Sequence, residues 1–88
     1  MKNEDKYFTT TSFSLAVFLF AKGFELVNIN RLEGQKRASF IFANRLDSEE
    51  LIHEFNFAKE DEEIVKVDAR KLFYASKLLK EKLYQNNN

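Results

Sequence analysis

The chain has 88 residues, with 14 Lys and Arg against 14 Asp and Glu, and it contains no Cys, Pro or Trp. A chain of this length forms one domain with a thin core, which leaves little room for a deep catalytic cleft. The lack of cysteine excludes disulfides and Cys-based metal sites, and it favours a reducing, cytoplasmic setting. A net charge of zero speaks against a general polyanion-binding protein.

The charges are unevenly distributed along the chain. Residues 45–65 carry two basic and eight acidic side chains, whereas residues 66–88 carry six basic and two acidic ones. Solvated helix faces are one explanation of this pattern. The other explanation is that the protein has separate acidic and basic faces, of which the basic one is suited to an anionic partner.

The first elements are predicted to be a short strand and an apolar helix. Residues 7–10 favour a strand, and Thr11 or Ser12 can cap the helix that follows. Gly23 suits the left-handed position that ends a helix. The apolar residues of 13–21 point in every direction around the helix axis, so we expect this helix to be covered on all sides. The stretch is too short to cross a bilayer, and we expect no membrane association.

The central part of the chain is predicted to be a β-hairpin. Residues 24–32 form the first strand, but their apolar pattern slips from one face to the other, which indicates either two partly covered faces or a bulge. Residues 33–35 contain a glycine and form the turn. The second strand covers residues 36–43, with Phe40 and Phe42 on one face and Ile41 on the other.

Two further helices are predicted with a short strand between them. Asp47 can cap the first of these helices, with Glu50 completing a capping box. Residues 59–63 form a charged loop, and residues 64–67 form a possible fourth strand. Asp68 then caps the last helix, which extends to about residue 84. The predicted order is (β)αββα(β)α, with the strands in brackets the least defined.

The sequence offers no constellation for catalysis, metal binding or a cofactor. His53 is the single imidazole and is expected on the outer face of its helix, without a second His or any Cys to complete a metal site. The serines have no possible catalytic base other than His53. The sequence also lacks a glycine-rich loop that could bind phosphate. We therefore predict no enzymatic activity and no cofactor.

The segment 36–42 mixes basic and aromatic residues on a strand, as RNA-recognition motifs do. Ala38 stands where that motif has glycine, and the aromatic spacing differs from its pattern. We therefore expect Phe40 and Phe42 to face a helix rather than to stack on bases. Lys36 and Arg37 stay candidate contacts to nucleic acid.

The last helix carries the best candidate surface. Its predicted core stripe consists of Leu72, Ala75, Ser76, Leu79 and Leu83, with Phe73 beside it. Away from this stripe lie the basic residues predicted to contact phosphates, namely Arg70, Lys71, Lys77 and Lys82. Tyr74 and Leu78 are also predicted outside, and an exposed aromatic–aliphatic pair ringed by charge is typical of an interface patch. Together with the apolar first helix, this pair favours self-association, for which a homodimer is the predicted form.

Several segments together resemble a small family of bacterial and tailed-phage proteins described only as a domain of unknown function. The segments are Tyr7-Phe8-Thr9-Thr10-Thr11-Ser12, Leu15-Ala16-x-Phe18-Leu19-x-x-Lys22-Gly23-Phe24, Phe40-x-Phe42, Val67-Asp68 and Leu78-Leu79-Lys80-x-x-Leu83-Tyr84. The resemblance covers nearly the whole chain and implies a common fold and an intracellular origin linked to phages or mobile elements. It implies no active site.

We therefore predict one α+β domain over residues 1–88, with frayed tails at 1–6 and 85–88, built on an antiparallel sheet packed against about three helices. We interpret it as a non-enzymatic, cytoplasmic binding module that contacts nucleic acid through its basic last helix. The alternative is a protein-interaction or inhibitor protein that meets a host or phage protein, or a second copy of itself, with the acidic segment 47–63 as the partner surface.

Overall fold

A computed structural model describes residues 6–31 and 37–85 of the chain. These residues form an α+β fold whose elements follow one another as β1, α1, β2, β3, α2 and α3. Their bounds are β1 Tyr7–Thr10, α1 Phe13–Ala21, β2 Leu26–Asn30, β3 Ser39–Ala43, α2 Ser48–Phe57 and α3 Ala69–Gln85, with a 3₁₀ turn at Glu63–Val65. The predicted fold class is confirmed. The predicted hairpin turn at 33–35 and the strand extension at 36 lie outside the described residues.

The strands form one antiparallel sheet in the order β1-β3-β2. In the central strand β3, Phe40 and Phe42 are buried against the helices, and Ile41 lies on the other, half-covered face. Phe8 of β1 stacks on Phe42 with ring centroids 5.7 Å apart, and Phe24 meets the same ring edge-on at 6.4 Å. Phe40 and Phe42 are thus core residues, as expected, and offer no ring to a nucleic-acid base.

A bulge resolves the slipping apolar pattern of β2. Leu26 pairs with Phe42, but Asn28 pairs with Ile41, so Val27 and Asn28 together face a single residue of β3. The extra residue exposes Val27 and returns Ile29 to the buried face, where it is 5% exposed. Of the two predicted explanations, the bulge is therefore the correct one.

Helix α1 is enclosed, as its sequence predicts. Its residues from Leu15 to Leu19 are all buried. The Phe18 ring lies 4.8 Å from that of Phe55 in α2, and Phe13 lies 5.9 Å from Phe40 of the sheet. Helix α3 covers a further side through extensive contacts with α1. A helix apolar all round is thus stable here because sheet and helices surround it.

Local signals set both ends of α1. The Ser12 hydroxyl accepts a hydrogen bond from the backbone N–H of Leu15 at 3.2 Å, which caps the helix at its start. At the other end Gly23 has φ +97°, in the left-handed region that favours glycine. Its backbone N–H donates to the carbonyl of Phe20 at 3.1 Å.

Two predictions about the second half of the chain are wrong. The Asp47 side chain makes no capping bond to α2, because its carboxylate instead accepts two hydrogen bonds from Arg45, at 2.9 and 2.8 Å. Residues 64–67 do not form a fourth strand. Their backbone bonds are local, as in the 3.2 Å bond from the Val65 N–H to the Glu62 carbonyl, and the 3₁₀ turn packs against α2. Its apolar side chains Ile64 and Val65 pack against the core instead.

Candidate nucleic-acid interface

Helix α3 begins at a side-chain cap and runs along the outside of the molecule. The Asp68 carboxylate accepts hydrogen bonds from the backbone N–H groups of Arg70 at 2.7 Å and Lys71 at 3.4 Å. This confirms the predicted cap, and it satisfies donors at the helix start that would otherwise lack a partner. Ala75 and Leu79 are buried against α1, whereas Leu72 and Leu83 are half-buried. The predicted core stripe therefore fixes which side of α3 faces solvent.

The solvent side of α3 is strongly basic. The helix carries five basic side chains against the single acid Glu81, and all six are exposed. Within the described residues, ion pairs join Arg45 to Asp47, His53 to Glu54 and Lys66 to Glu63, and none involves α3. The cations of α3 are therefore free to attract a negatively charged partner.

The predicted phosphate contacts occupy different parts of this surface. Arg70 and Lys77 lie opposite the core stripe, and Lys71 and Lys82 lie on one flank, as the helical period requires. Arg37 is exposed just before β3. Lys36 lies outside the described residues.

The predicted patch of Tyr74 and Leu78 is exposed only in part. Tyr74 is 62% exposed, but Leu78 is half-buried on the flank of the helix. The exposed apolar surface of the pair is therefore smaller than the i, i+4 spacing predicts. Tyr74 is its accessible member.

Two exposed aromatic residues escaped the sequence reasoning. The helical pattern predicts Phe73 beside the core stripe, but its side chain is 73% exposed. Tyr84 is predicted only as the end of the helix, and it is 65% exposed. The signal was available in the helical period, because at 100° per residue Phe73 lies about 100° from the centre of the core stripe. Phe73, Lys77, Lys80 and Tyr84 fall within about 60° of the helix circumference and form what we call the α3 stripe.

One end of the α3 stripe opens into a cleft between the helix and the sheet. The cleft has a volume of about 250 Å³ and is lined from the sheet side by Arg31, Ala38 and Phe40 and from α3 by Lys80, Leu83 and Tyr84. None of its described lining residues is acidic. The Nε atom of Arg31 is buried, and among the described residues it has no hydrogen-bond partner. The cleft is therefore lined by two cationic side chains, Arg31 and Lys80, and its described lining favours an anionic ligand.

A second, apolar groove lies on the other side of Phe73. Its volume is about 390 Å³, and its lining includes Phe18 of α1, Phe55 of α2, Val65 of the 3₁₀ turn and Leu72 of α3. Phe73 thus borders both the groove and the α3 stripe. The lining is almost entirely apolar, so the groove suits an apolar side chain rather than a charged group.

The remaining titratable groups have ordinary surface roles. His53 is exposed, with its Nδ1 atom 3.6 Å from the Glu54 carboxylate. The hydrogen bond from Arg45 lowers the pKa of the Asp47 carboxyl below its usual value, and the Arg45 guanidinium also lies 4.2 Å from the centre of the Phe24 ring.

No group of three potential metal ligands comes together in the described part of the chain. Nor is any helix there long and apolar enough to span a bilayer.

These observations define a small α+β protein whose last helix leaves a basic and aromatic face open. Residues 5–84 match the family described as Domain of unknown function (DUF5659), and the chain belongs to this family. The match covers most of the sequence, in agreement with the resemblance noted from its core, capping and turn residues. Neither the curated proteins nor the solved structures gave a match to the chain.

Proposed function

We propose that this chain is a non-enzymatic binding module that contacts nucleic acid through α3. The observation that carries the proposal is the set of exposed cations on α3, above all Arg70, Lys77 and Lys80, which form no ion pair within the described residues. Phosphates neutralise such cations and release counterions, and this release supplies most of the affinity in non-specific binding. Arg37 before β3 and Lys71 and Lys82 on the flank add contacts at the margins of the same surface.

The rest of the charge distribution supports an oriented contact. The segment 47–63 carries eight acidic side chains and one basic side chain, so it repels a polyanion. At physiological salt the screening length is about 8 Å, so exposed charges farther apart than this act nearly independently. A molecule with zero net charge can therefore bind a polyanion through one side only.

A salt titration tests this proposal. A labelled oligonucleotide should bind at 50 mM salt, and with four phosphate contacts its affinity should fall by about 50- to 150-fold at 200 mM. Lys77→Gln should reduce the slope of log affinity against log salt by ~0.7 to 0.9, the value of one phosphate contact. Lys59→Gln is the matched control, since Lys59 is exposed in the acidic segment. Lack of binding at 50 mM salt, or equal slopes for both variants, would contradict the proposal.

A second candidate function is protein interaction through the acidic segment. It is favoured by two apolar side chains that flank the acids of α2, namely Leu46, which is fully exposed, and Phe57, which is 71% exposed. An acidic surface with apolar anchors suits a basic groove of another protein. A host or phage protein captured from nuclease-treated lysate by the wild type, and lost with Phe57→Ser, would support this role. Capture that disappears on nuclease treatment would count against it.

Self-association is the third element of the proposal. Tyr74, with Leu78 beside it, offers a small apolar contact for a homodimer, although half of that pair is already covered. Sedimentation velocity over a hundredfold range of concentration tests this, with Tyr74→Glu expected to abolish any dimer. A monomer at every concentration would refute it.

The cellular setting completes the proposal. The lack of cysteine supports a cytoplasmic protein. The sequence resemblance described above supports a bacterial, phage or mobile-element origin. Cell fractionation tests the first, and the genes that neighbour the coding sequence test the second.

A further inference from the structure

We propose that the nucleic acid bound by this chain is single-stranded, with its bases stacked on the rings of the α3 stripe and one phosphate or base oxygen held in the adjoining cleft. This inference rests on the proposed function and specifies the form of its ligand. It joins three features of the same surface: exposed rings, exposed cations between them and a cleft at one end that is lined by Arg31 and Lys80.

The exposed rings distinguish a single strand from a duplex. Phe73 is 73% exposed and Tyr84 is 65% exposed, so each offers a ring to a partner. In a duplex the bases stack on one another and present only their edges in the grooves. In a single strand every base has a free π-face, and stacking on an aromatic side chain contributes substantially to binding without a requirement for sequence.

The α3 stripe places two cations between two rings, an order that suits the phosphates and bases of a polynucleotide strand. Lys77 and Lys80 lie between the two rings, so a backbone passing along the helix meets cations while its bases reach the rings. The helix rises 1.5 Å per residue, which separates the positions of Phe73 and Tyr84 by about 16 Å along the axis. At the stacked spacing of ~3.4 Å, this distance corresponds to about five nucleotides.

The cleft provides an end point for the strand. Lys80 and Tyr84 belong both to the α3 stripe and to the lining of the cleft, so the two features are continuous. Across from them the buried Nε of Arg31 has no acceptor among the described residues. Arg31 and Lys80 both line the cleft, and the absence of acidic groups from the described lining leaves their charged groups available to a phosphate oxygen or a base carbonyl.

Fluorescence anisotropy with end-labelled oligonucleotides tests the inference. The probes are a mixed-sequence 20-nucleotide DNA strand, the RNA strand of the same sequence and the DNA duplex, all at 50 mM salt, together with DNA strands of three, six and nine nucleotides. We expect one or both single strands to bind at least tenfold more tightly than the duplex. The affinity should rise steeply between three and six nucleotides, because only the longer strand reaches both rings. The comparison of DNA with RNA identifies the sugar, and either preference is consistent with the inference.

Variants separate stacking from charge. Phe73→Ala and Tyr84→Ala should each weaken single-strand binding by about 5- to 150-fold, the range of one lost base stack. They should leave the salt slope nearly unchanged, whereas Lys80→Gln should lower it by ~0.7. Phe57→Ala is the matched control, because Phe57 is equally exposed at the end of α2. Arg31→Gln should weaken binding as well, and circular dichroism verifies that each variant is folded.

The outcomes distinguish the inference from the function on which it rests. If no oligonucleotide binds at 50 mM salt, the proposed function fails and the inference fails with it. If the duplex binds as tightly as the single strands, nucleic-acid binding stands and the single-strand inference is overturned. The inference is also overturned if Phe73→Ala and Tyr84→Ala weaken binding no more than Phe57→Ala does.

Discussion

The orientation of α3 can be tested by truncating two adjacent leucines of that helix. Leu79 is completely buried against α1, whereas Leu78 is half-buried on the flank. Leu79→Ala and Leu78→Ala make the same change in side chain and in helix propensity. Any difference between the two variants therefore reports burial alone, and with it the side of α3 that faces solvent.

The expected costs follow from the burial of the two side chains. Truncating a fully buried leucine removes its transfer free energy and leaves a cavity, at a cost of ~2–5 kcal/mol. Leu79 lies against the closely packed stretch from Leu15 to Leu19, which has little freedom to collapse into the space, so we expect ~3 kcal/mol. Leu78 buries only part of its surface, and for its truncation we expect ~1 kcal/mol.

These values are measurable by urea denaturation followed by circular dichroism. With a urea dependence of ~1.5 kcal/mol per molar, the Leu79→Ala midpoint falls by ~2 M and that of Leu78→Ala by less than ~1 M. In thermal unfolding, ~3 kcal/mol corresponds to a decrease of roughly 12–24 °C for a domain of this size. Equal costs for the two variants, or a larger cost for Leu78→Ala, would mean that α3 is rotated from the orientation described, and the reasoning about its basic and aromatic face would fail.

Three further predictions concern the helix ends and one ion pair. Ser12→Ala removes the bond to the Leu15 N–H and should cost ~1 kcal/mol in urea denaturation, while Ser12→Asp should retain most of the stability. Gly23→Ala meets no atom within 4 Å of the added carbon, so its cost of ~1–2 kcal/mol should come from the left-handed backbone alone, and a Gly23→Asn variant should lose less. The Asp47 carboxyl should titrate in NMR below the ordinary value of 3.8, and Arg45→Gln should raise its midpoint. Because the folded-state pKa is lowered, the small stabilisation from this pair should be complete above about pH 4 and disappear as the pH falls through the folded pKa, and a midpoint unaffected by Arg45→Gln would contradict this account.

Much of the fold could be predicted because its signals are local. The cap at Ser12, the left-handed Gly23 and the cap at Asp68 depend on bonds between near neighbours in the chain. The enclosure of α1 follows from its composition, since a helix with no polar face cannot lie on the surface. The bulge in β2 was one of two explanations that the apolar pattern allowed, and pairing with β3 was needed to choose between them.

Other features depend on partners distant in sequence. The residues of β1 do not by themselves say which strand they pair with, and the structure pairs β1 with β3. Residues 64–67 have the composition of a strand, but Glu63–Val65 form a 3₁₀ turn that packs on α2. Asp47 binds the guanidinium of Arg45, its near neighbour in the chain, and that guanidinium also lies over the ring of Phe24, which is distant in sequence. Each of these outcomes is a competition between a local preference and a tertiary contact.

The sequence by itself determined the helices, the caps at Ser12 and Asp68, the inward face of β3 and the basic character of the last helix, because each depends on residues close together in the chain. Only the tertiary structure decided how far Phe73, Leu78 and Tyr84 are exposed, and that Lys80 and Tyr84 line the same cleft as Arg31. Arg31 is separated from Lys80 and Tyr84 by about fifty positions. The periodicity of a single segment therefore cannot predict that these side chains line one cleft. The physical reason is that burial and proximity belong to the packed assembly of elements, whereas capping and amphipathicity belong to each element alone.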